Sequence, residues 1–313
     1  MVRIGIDVGG TGIQIGIVDE NGTILHKGQI STNIAIPFSD QVRDIALCAL
    51  DTLKGAGYTT DDLLSVGVGI PGIADQKTGE VIKCTNMSWD FVPFKDEFIK
   101  YINKPLFIDN DATVAGLAES KAGVSAGTSS SVFITIGTGI GAGIVINGKV
   151  WSGAHGIGSE LGHMIIRTGG EQCTCGNKGC VERYCSATAI IRMAREKVQY
   201  SPESEILKLA GNDPAAINAK NVFDAAKNGD PAALEVFSEY IAYTGQAIAN
   251  IVNFLDPEVI VIGGGVSKAG DFLLDALKKE FPKYVIFRTQ PLPRLLIAKL
   301  GADAGIIGAA MLG

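Results

Sequence analysis

The sequence lacks the features that direct a chain to nucleic acid or to a membrane. Its 27 lysines and arginines are outnumbered by 33 aspartates and glutamates, which gives a formal charge of −6, and there is no basic run. A chain with this charge is a poor partner for nucleic acid or for an anionic membrane surface. No apolar run has the form of a signal peptide or the length of a membrane span. We therefore expect a cytoplasmic protein that binds neither nucleic acid nor membrane.

Histidine is scarce, and the position of one histidine is informative. Of only three histidines, His163 lies in a glycine-rich stretch, residues 153–182, that also holds three of the six cysteines. Cys173, Cys175 and Cys180 form the pattern C-x-C-x4-C. Because a cytoplasmic chain has little use for disulfides, this spacing beside a histidine predicts one tetrahedral zinc ion. The alternative is ordinary buried thiols in a glycine-rich loop, which is disfavoured because thiols so close in sequence cannot all enter one core.

The fourth zinc ligand has two candidates. Cys185 could replace His163, but it falls where a helix over residues 182–198 is predicted to begin and would have to turn back. We prefer His163 for this reason. A zinc ion with four protein ligands has no open position for water, so its predicted role is structural. It would fold the loop and fix the polar side chains of Glu160, His163 and Glu182.

Length and patterning predict two α/β domains. At 313 residues with 46% apolar content, the chain is too long for one comfortable core and short for three. Residues 3–18 predict a strand, a glycine loop and a second strand, and residues 132–146 repeat this design. An Asn-Gly turn follows each copy. Two copies about 125 residues apart predict a duplicated domain and two lobes.

Neither glycine loop leads into a predicted helix, so the dinucleotide-binding fingerprint is not satisfied. A Gly-Lys-Ser/Thr phosphate loop is absent as well. The loops at residues 9–12 and 137–139 could still bind phosphate oxygens through backbone N–H groups, with hydroxyl donors from Thr11 and Thr138. Their alternative is a pair of plain tight turns.

A strand over residues 106–110 is predicted to deliver polar side chains to a helix start. Strand ends that face helix starts are where α/β sheets place ligands. Asp109 and Asp111 lie two residues apart, with the helix expected to begin between them. Either one could be a helix cap instead of a functional carboxylate.

The rest of the chain reads as a helical block, a buried strand and a small-residue helix. Helices are expected from residue 183 to 255, with a break at 212–218, and a third glycine cluster follows the strand at 263–265. The last residues predict a helix suited to close packing. We place the first lobe at residues 1–112 plus 302–313 and the second at 113–301.

These pieces together resemble the ROK family of bacterial sugar kinases and related repressors, over essentially the whole length. The most specific mark is the cysteine cluster after Glu160–His163. The resemblance implies an α/β, two-lobed actin/hexokinase-like (ribonuclease H-like) ATPase fold with a zinc-bound loop. The marks are DVGGTG at 7–12, GIPG at 69–72, IDND at 108–111, GTGIGAG at 137–143, ELGH at 160–163, CTCGNKGCVE at 173–182 and LDPEVIVIGGGVS at 255–267.

The resemblance also implies roles for single residues. Asp111 is the expected catalytic carboxylate, which would orient the sugar hydroxyl and accept its proton. Asp7 would hold magnesium through water. The residues expected to bind the sugar are Asn110, Asp111, Glu160, His163 and Glu182. Those expected to bind ATP are Gly9, Gly10, Thr11, Gly12, Gly137, Thr138, Gly139, Gly263 and Gly264.

The implied activity is ATP-dependent phosphorylation of glucose to glucose 6-phosphate by a homodimer. Alternative substrates are fructose, mannose, N-acetylmannosamine and N-acetylglucosamine. A sugar-sensing regulator is disfavoured, because the first glycine loop begins near residue 7 and leaves no room for a DNA-binding segment before it. The stretch before the glutamate of the cysteine loop reads Gly158-Ser159-Glu160, where Ala-Gly-Glu is more frequent in the family. His155 has no implied role, and we expect it to be a solvated loop histidine.

Overall fold

The computed structural model describes residues 1–313 and is a mixed α/β protein. The strands are β1 Val2–Val8, β2 Gly12–Val18, β3 Ile24–Ser31, β4 Leu63–Ile70, β5 Ile73–Ala74, β6 Val81–Cys84, β7 Trp89–Val92, β8 Leu106–Asn110, β9 Ser130–Ile136, β10 Ile140–Ile146, β11 Lys149–Val150, β12 Val259–Gly263 and β13 Arg294–Ile297. The α-helices are α1 Phe38–Gly55, α2 Phe94–Phe98, α3 Asp111–Lys121, α4 Glu182–Cys185, α5 Ala187–Val198, α6 Glu205–Leu209, α7 Ala219–Lys227, α8 Pro231–Leu255, α9 Asp271–Glu280 and α10 Ala304–Ala310.

Two five-stranded sheets repeat one topology. The first has the order β3-β2-β1-β4-β8, and the second has the order β11-β10-β9-β12-β13. In each sheet three consecutive strands form a meander at one side, and two later strands follow on the other. The glycine loops at residues 9–11 and 137–139 are the first hairpin turns of the two meanders. The repeated design that the sequence predicted is therefore present in the sheet order. Strands β5, β6 and β7 form a separate small sheet.

The chain divides into two compact units. The first unit comprises Met1–Phe133, Gly143–Ser159 and Lys299–Gly313, and the second comprises Ile134–Ala142 and Glu160–Ala298. The first unit thus includes α3 and the loop before Glu160, both of which we expected from the sequence to lie in the second lobe. The physical reason is that α3 packs against α10. The division into lobes at residue 113 stays a prediction.

Helix α10 packs on the first sheet through missing side chains. A Cβ added at Gly5 on β1 would lie 2.0 Å from the carbonyl oxygen of Ile306, and one at Gly67 on β4 would lie 1.7 Å from that of Ala309. A Cβ at Gly308 would meet the carbonyl of Val114 on α3 at 1.7 Å. Backbone approach this close is open only to glycine. The small-residue helix expected at the end of the chain is confirmed.

Glu119 on α3 fixes the point where the chain returns to the first unit. Its side chain is fully buried, and its Oε1 accepts hydrogen bonds from the N–H groups of Lys299 and Leu300, both at 2.8 Å. Oε2 accepts from the N–H of Val124 at 2.9 Å. A buried carboxylate is stable only when its oxygens have partners, and here three backbone amides serve. The start of α10 is thereby tied to α3.

One predicted helix is divided in two. The sequence indicated a continuous helix over residues 182–198, but α4 ends at Cys185 and α5 begins at Ala187. Ser186 between them has an extended backbone, and its hydroxyl accepts a hydrogen bond from the N–H of Ala189. A serine that caps a helix start competes with helix continuation, which explains the break.

None of the helices, α8 with its 25 residues included, is both long enough and apolar enough to cross a membrane.

We expect Gly67→Ala to destabilise the protein by about 1–3 kcal/mol, because its Cβ would collide with a backbone carbonyl that cannot rotate away. Urea unfolding measures the change. Gly265→Ala is the matched control, since nothing lies within 4 Å of a Cβ at that position. Equal stability of the two variants would contradict the packing described for α10.

Candidate functional site

The ends of the parallel strands gather acidic side chains in the first unit. Asp7 on β1 is in register with Gly69 on β4, which in turn is in register with Asp109 on β8. Asn110 and Asp111 follow directly, at the start of α3. The carboxyl ends of parallel strands are where such sheets bind ligands. The expected position of these residues at a strand end facing a helix start is therefore confirmed as geometry.

The N-cap of α3 is Asn110, not Asp109 or Asp111. Its side-chain oxygen accepts hydrogen bonds from the N–H groups of Ala112 at 2.9 Å and Thr113 at 3.2 Å. Its Nδ2 donates to the carbonyl of Gly72 at 3.2 Å. Asp111, half-buried, is the first residue of the helix, and its Oδ1 accepts from the N–H of Ala112 at 2.8 Å. Because Asn110 supplies the cap, helix capping does not account for Asp111.

Among the carboxylates of the first unit, Asp7 has the pKa that departs furthest from its ordinary value. Burial, together with the smaller effect of the nearby charge of Asp111, raises the pKa of Asp7 to about 6. A Cβ at Gly305 would lie 2.3 Å from Asp7 Oδ2, so the carboxylate rests against the start of α10. Two neighbouring carboxylates in a partly desolvated place favour a divalent cation, which would offset both charges.

Asp109 belongs to a buried polar network that the sequence did not reveal. It accepts hydrogen bonds from Ser152 Oγ at 3.0 Å and from Gln76 Nε2. Burial raises the pKa of Asp109, and these hydrogen bonds act against the shift. Gln76 and Ser152 are distant in sequence from Asp109, so no local pattern could have indicated their meeting. The network fixes the loop of residues 151–159, where His155 is exposed as expected.

The first glycine loop is closed by its own backbone. Gly9 N–H donates to the carbonyl of Gly12 at 3.0 Å, and the hydroxyl of Thr32 donates to the carbonyl of Gly9 at 2.6 Å. Gly10 and Thr11 are exposed at the tip. A tight turn with exposed amides can bind an anion without interference from side chains.

The second unit brings two glycine clusters together. Gly137 N–H donates to the carbonyl of Gly139 at 3.0 Å, which closes the loop around the exposed Thr138. Gly263 ends β12, and a Cβ at Gly264 would lie 2.5 Å from the carbonyl oxygen of Ile136, the residue before this loop. The expected nucleotide-binding glycines of this unit are therefore neighbours.

Four potential metal ligands converge in the second unit. One donor atom from each of His163, Cys173, Cys175 and Cys180 lies within 4.8 Å of the others. Cys175 Sγ is 3.6 Å from Cys180 Sγ, and Cys173 Sγ is 3.7 Å from His163 Nδ1. Tetrahedral zinc with ordinary bond lengths requires donor separations of about 3.6–3.8 Å. The donor set and its spacing therefore fit zinc.

The alternative fourth ligand, Cys185, does not join this cluster. Its thiol is buried beside Thr244, and burial raises its pKa to about 12. A thiol in such surroundings is a packing residue and not a ligand. The preference for His163 agrees with the geometry.

The three polar side chains expected to bind sugar flank the cysteine cluster. His163 uses Nδ1 on the thiol side, and its Nε2 lies 4.0 Å from Glu160 Oε2. Glu182 begins α4, two residues after Cys180, and its Oε2 accepts a hydrogen bond from the N–H of Ile140 at 3.0 Å. Glu182 thus contacts the backbone just after the 137–139 loop, a link that sequence spacing could not show.

The family is decided by comparison with known proteins. The sequence model described as "ROK family" matches residues 3–313. The chain belongs to the ROK family. The resemblance identified from the motifs is thereby confirmed.

Several similar proteins are glucokinases. The chain is 40% identical to a glucokinase of Halalkalibacterium halodurans, over 97% of this chain and 92% of that protein. It is 37% identical to a glucokinase of Thermotoga maritima, over 98% of this chain and 95% of that protein. A crystal structure of a ROK family glucokinase from Streptomyces griseus, in complex with glucose and AMPPNP, has a TM-score of 0.81 and 33% identity, and covers 100% of this chain and 99% of its own. The expected fold is confirmed.

We expect Asp7→Asn to stabilise the magnesium-free protein at pH 8. Folding raises the pKa of Asp7 from 3.8 to about 6, and one pKa unit corresponds to about 1.4 kcal/mol, so the expected gain is about 3 kcal/mol. A carboxyl whose pKa rises on folding binds protons better when folded, so its destabilising effect grows as pH rises from about 4 to about 6. The gain should therefore vanish near pH 4. Urea unfolding at both pH values measures it, and exposed Asp61→Asn serves as control. A loss of stability at pH 8 would contradict the burial of Asp7.

Proposed function

We propose that this chain is a glucokinase, which transfers the γ-phosphoryl group of ATP to glucose and releases glucose 6-phosphate. The observation that carries the proposal is Asp111, a half-buried carboxylate at the carboxyl end of a parallel strand, beside Asp7 and not needed as a helix cap. Full-length similarity to glucokinases supports the same conclusion.

Asp111 performs the proton transfer. Its carboxylate accepts the proton of the C6 hydroxyl while that oxygen attacks the γ-phosphorus and ADP departs. The helix start at Asp111 favours the ionised form of the carboxylate. Asp7 would hold magnesium through water, and a magnesium ion there would supply positive charge to the phosphate oxygens.

ATP is held mainly by backbone. The N–H groups of Gly10 and Thr11, and those of Thr138 and Gly139, bind phosphate oxygens. Gly9, Gly12 and Gly137 shape the two loops that present these donors, since the N–H groups of Gly9 and Gly137 close the loops. Gly263 and Gly264 lie against the nucleoside, where a side chain would obstruct it. Support comes from the exposed, self-closed loops and from the contact between Gly264 and Ile136.

The sugar is bound by hydroxyl recognition. Glu160, His163 and Glu182 face the C1 to C3 side of the ring, and Asn110 and Asp111 hold the C3, C4 and C6 side. His163 serves two functions, because Nδ1 binds zinc while Nε2 keeps its proton for the sugar. His163, Cys173, Cys175 and Cys180 would hold zinc, which would give the loop its fold and supply no chemistry.

The proposed enzyme is cytoplasmic and is not a DNA-binding regulator. A cluster of reduced thiols suits the cytoplasm, where thiols are kept reduced. A formal charge of −6 does not favour a DNA-binding regulator. The homodimer stays a prediction.

Asp111→Asn should fold and lose kcat by about 10²–10⁴-fold, because the amide cannot accept the proton. Stopped assays of glucose 6-phosphate formation measure the loss, and thermal unfolding checks that the helix start survives on the Asn110 cap. Near-normal turnover would leave Asp111 without a catalytic role.

Elemental analysis should find about one zinc per chain. Cys175→Ser should lower zinc content and activity together, whereas Cys185→Ala should keep its zinc because that thiol lies outside the cluster. Iron, no metal, or full activity after zinc removal would each count against the structural zinc site.

Glucose should have the highest kcat/KM in a hexose panel, with mannose weaker and N-acetylated hexosamines weaker still. Glu160, His163 and Glu182 offer two acceptors and a donor that a free 2-hydroxyl can satisfy. An N-acetyl group brings a methyl that needs an apolar pocket. A coupled assay with ATP and magnesium, which also includes fructose, measures the order. If N-acetylmannosamine, N-acetylglucosamine or fructose exceeds glucose, the kinase assignment stands and the substrate assignment fails.

A further inference from the structure

We propose that Glu182 is a positioning residue that couples the two substrates: one carboxylate oxygen fixes the 137–139 loop for ATP while the other receives a sugar hydroxyl. The inference rests on the proposed function and deepens it. Its physical basis is the hydrogen bond from Ile140 N–H to Glu182 Oε2, 3.0 Å long. No hydrogen bond from the chain reaches Oε1, and the side chain is half-buried.

The contact between Glu182 and Ile140 explains why residue 139 is a glycine. A Cβ at Gly139 would lie 2.4 Å from Glu182 Oε2, so the carboxylate occupies the space of the missing side chain. The backbone φ of Gly139 is outside the left-handed region, and an alanine could adopt it. Glycine at this position is therefore required for the approach of the carboxylate and not for a special turn conformation.

The segment of residues 182–188, which begins with Glu182, also binds Gly137 and Thr138, the other two residues of the loop. The N–H of Ala187 donates to the carbonyl of Gly137 at 2.8 Å, and the hydroxyl of Thr188 donates to the carbonyl of Thr138 at 2.8 Å. Every residue of the 137–139 loop thus contacts the segment 182–188. This segment begins two residues after Cys180, so the loop with the thiols and the loop with the glycines are joined by one short stretch of chain.

Coupling follows from this arrangement. A sugar hydroxyl on Oε1 fixes the rotamer of Glu182 and so orders the amide of Ile140 and the loop before it. The loop then loses less conformational entropy when ATP binds than a loop that is still mobile would lose. By linkage, ATP must then tighten sugar binding by the same factor.

The test measures binding without turnover. Calorimetry gives the Kd of a non-hydrolysable ATP analogue with magnesium, in the absence and in the presence of saturating glucose. For the unaltered protein we expect glucose to tighten the analogue at least about fivefold. The reverse titration, glucose with and without the analogue, should give the same factor.

Gly139→Ala isolates the contact, because it displaces the carboxylate and leaves Glu182 chemically intact. The coupling factor should fall to about one while glucose still binds. If the analogue no longer binds to this variant, Glu182→Gln supplies the measurement, and its factor should be well below that of the unaltered protein, because a neutral acceptor makes the weaker hydrogen bond.

Two further variants separate coupling from general damage. Thr188→Val should weaken binding of the analogue and keep the factor, because it removes the hydrogen bond to the carbonyl of Thr138 and leaves the contact of Glu182 with Ile140 in place. Exposed Glu203→Gln should change neither. An unchanged factor in both Gly139→Ala and Glu182→Gln overturns the inference. So does the absence of coupling in a protein that phosphorylates glucose, whereas failure to phosphorylate glucose overturns the proposed function instead.

Discussion

The convergence of three thiols and one imidazole within 4.8 Å is the constraint on which the second unit depends. Four such donors do not remain together by apolar packing, since two of the four side chains are not buried. A tetrahedral zinc ion would convert mutual proximity into a set of strong bonds, and the binding free energy would then be folding free energy for the loop. A folded loop in turn fixes the positions of Glu160, which precedes the cluster, and Glu182, which follows it.

In the first unit the corresponding constraint is close backbone packing. Gly5 and Gly67 let α10 approach β1 and β4, and Glu119 ties α3 to the chain just before α10. These contacts hold Asp7 and Asp111 near each other although both are acidic and Asp7 is largely removed from water. Repulsion of this kind lowers stability and persists only where the surrounding structure is rigid. Two neighbouring carboxylates of this kind are typical of a site that favours a divalent cation.

What could be predicted from the sequence was local. Each hairpin and the cysteine cluster depend on spacing within a few residues, and they appear as expected, with the hairpin pattern present in both sheets. The cap at Asn110 and the break at Ser186 depend on competition between neighbouring side chains, which a pattern cannot rank. Contacts between distant positions gave no signal at all. The link from Gln76 and Ser152 to Asp109 is of this kind.

The contact between Glu182 and Ile140 shows why such distant contacts matter for mechanism. A kinase must transfer phosphoryl to a hydroxyl in preference to water, and a water molecule is always present. If the 137–139 loop were fully ordered without sugar, ATP would be aligned for attack by water as well. A loop that gains its order through a carboxylate bound to the sugar instead uses the binding energy of the correct substrate to assemble the site. Discrimination against water then follows from the chemistry of one side chain, because water lacks the second hydroxyl contact that would hold Glu182 in place.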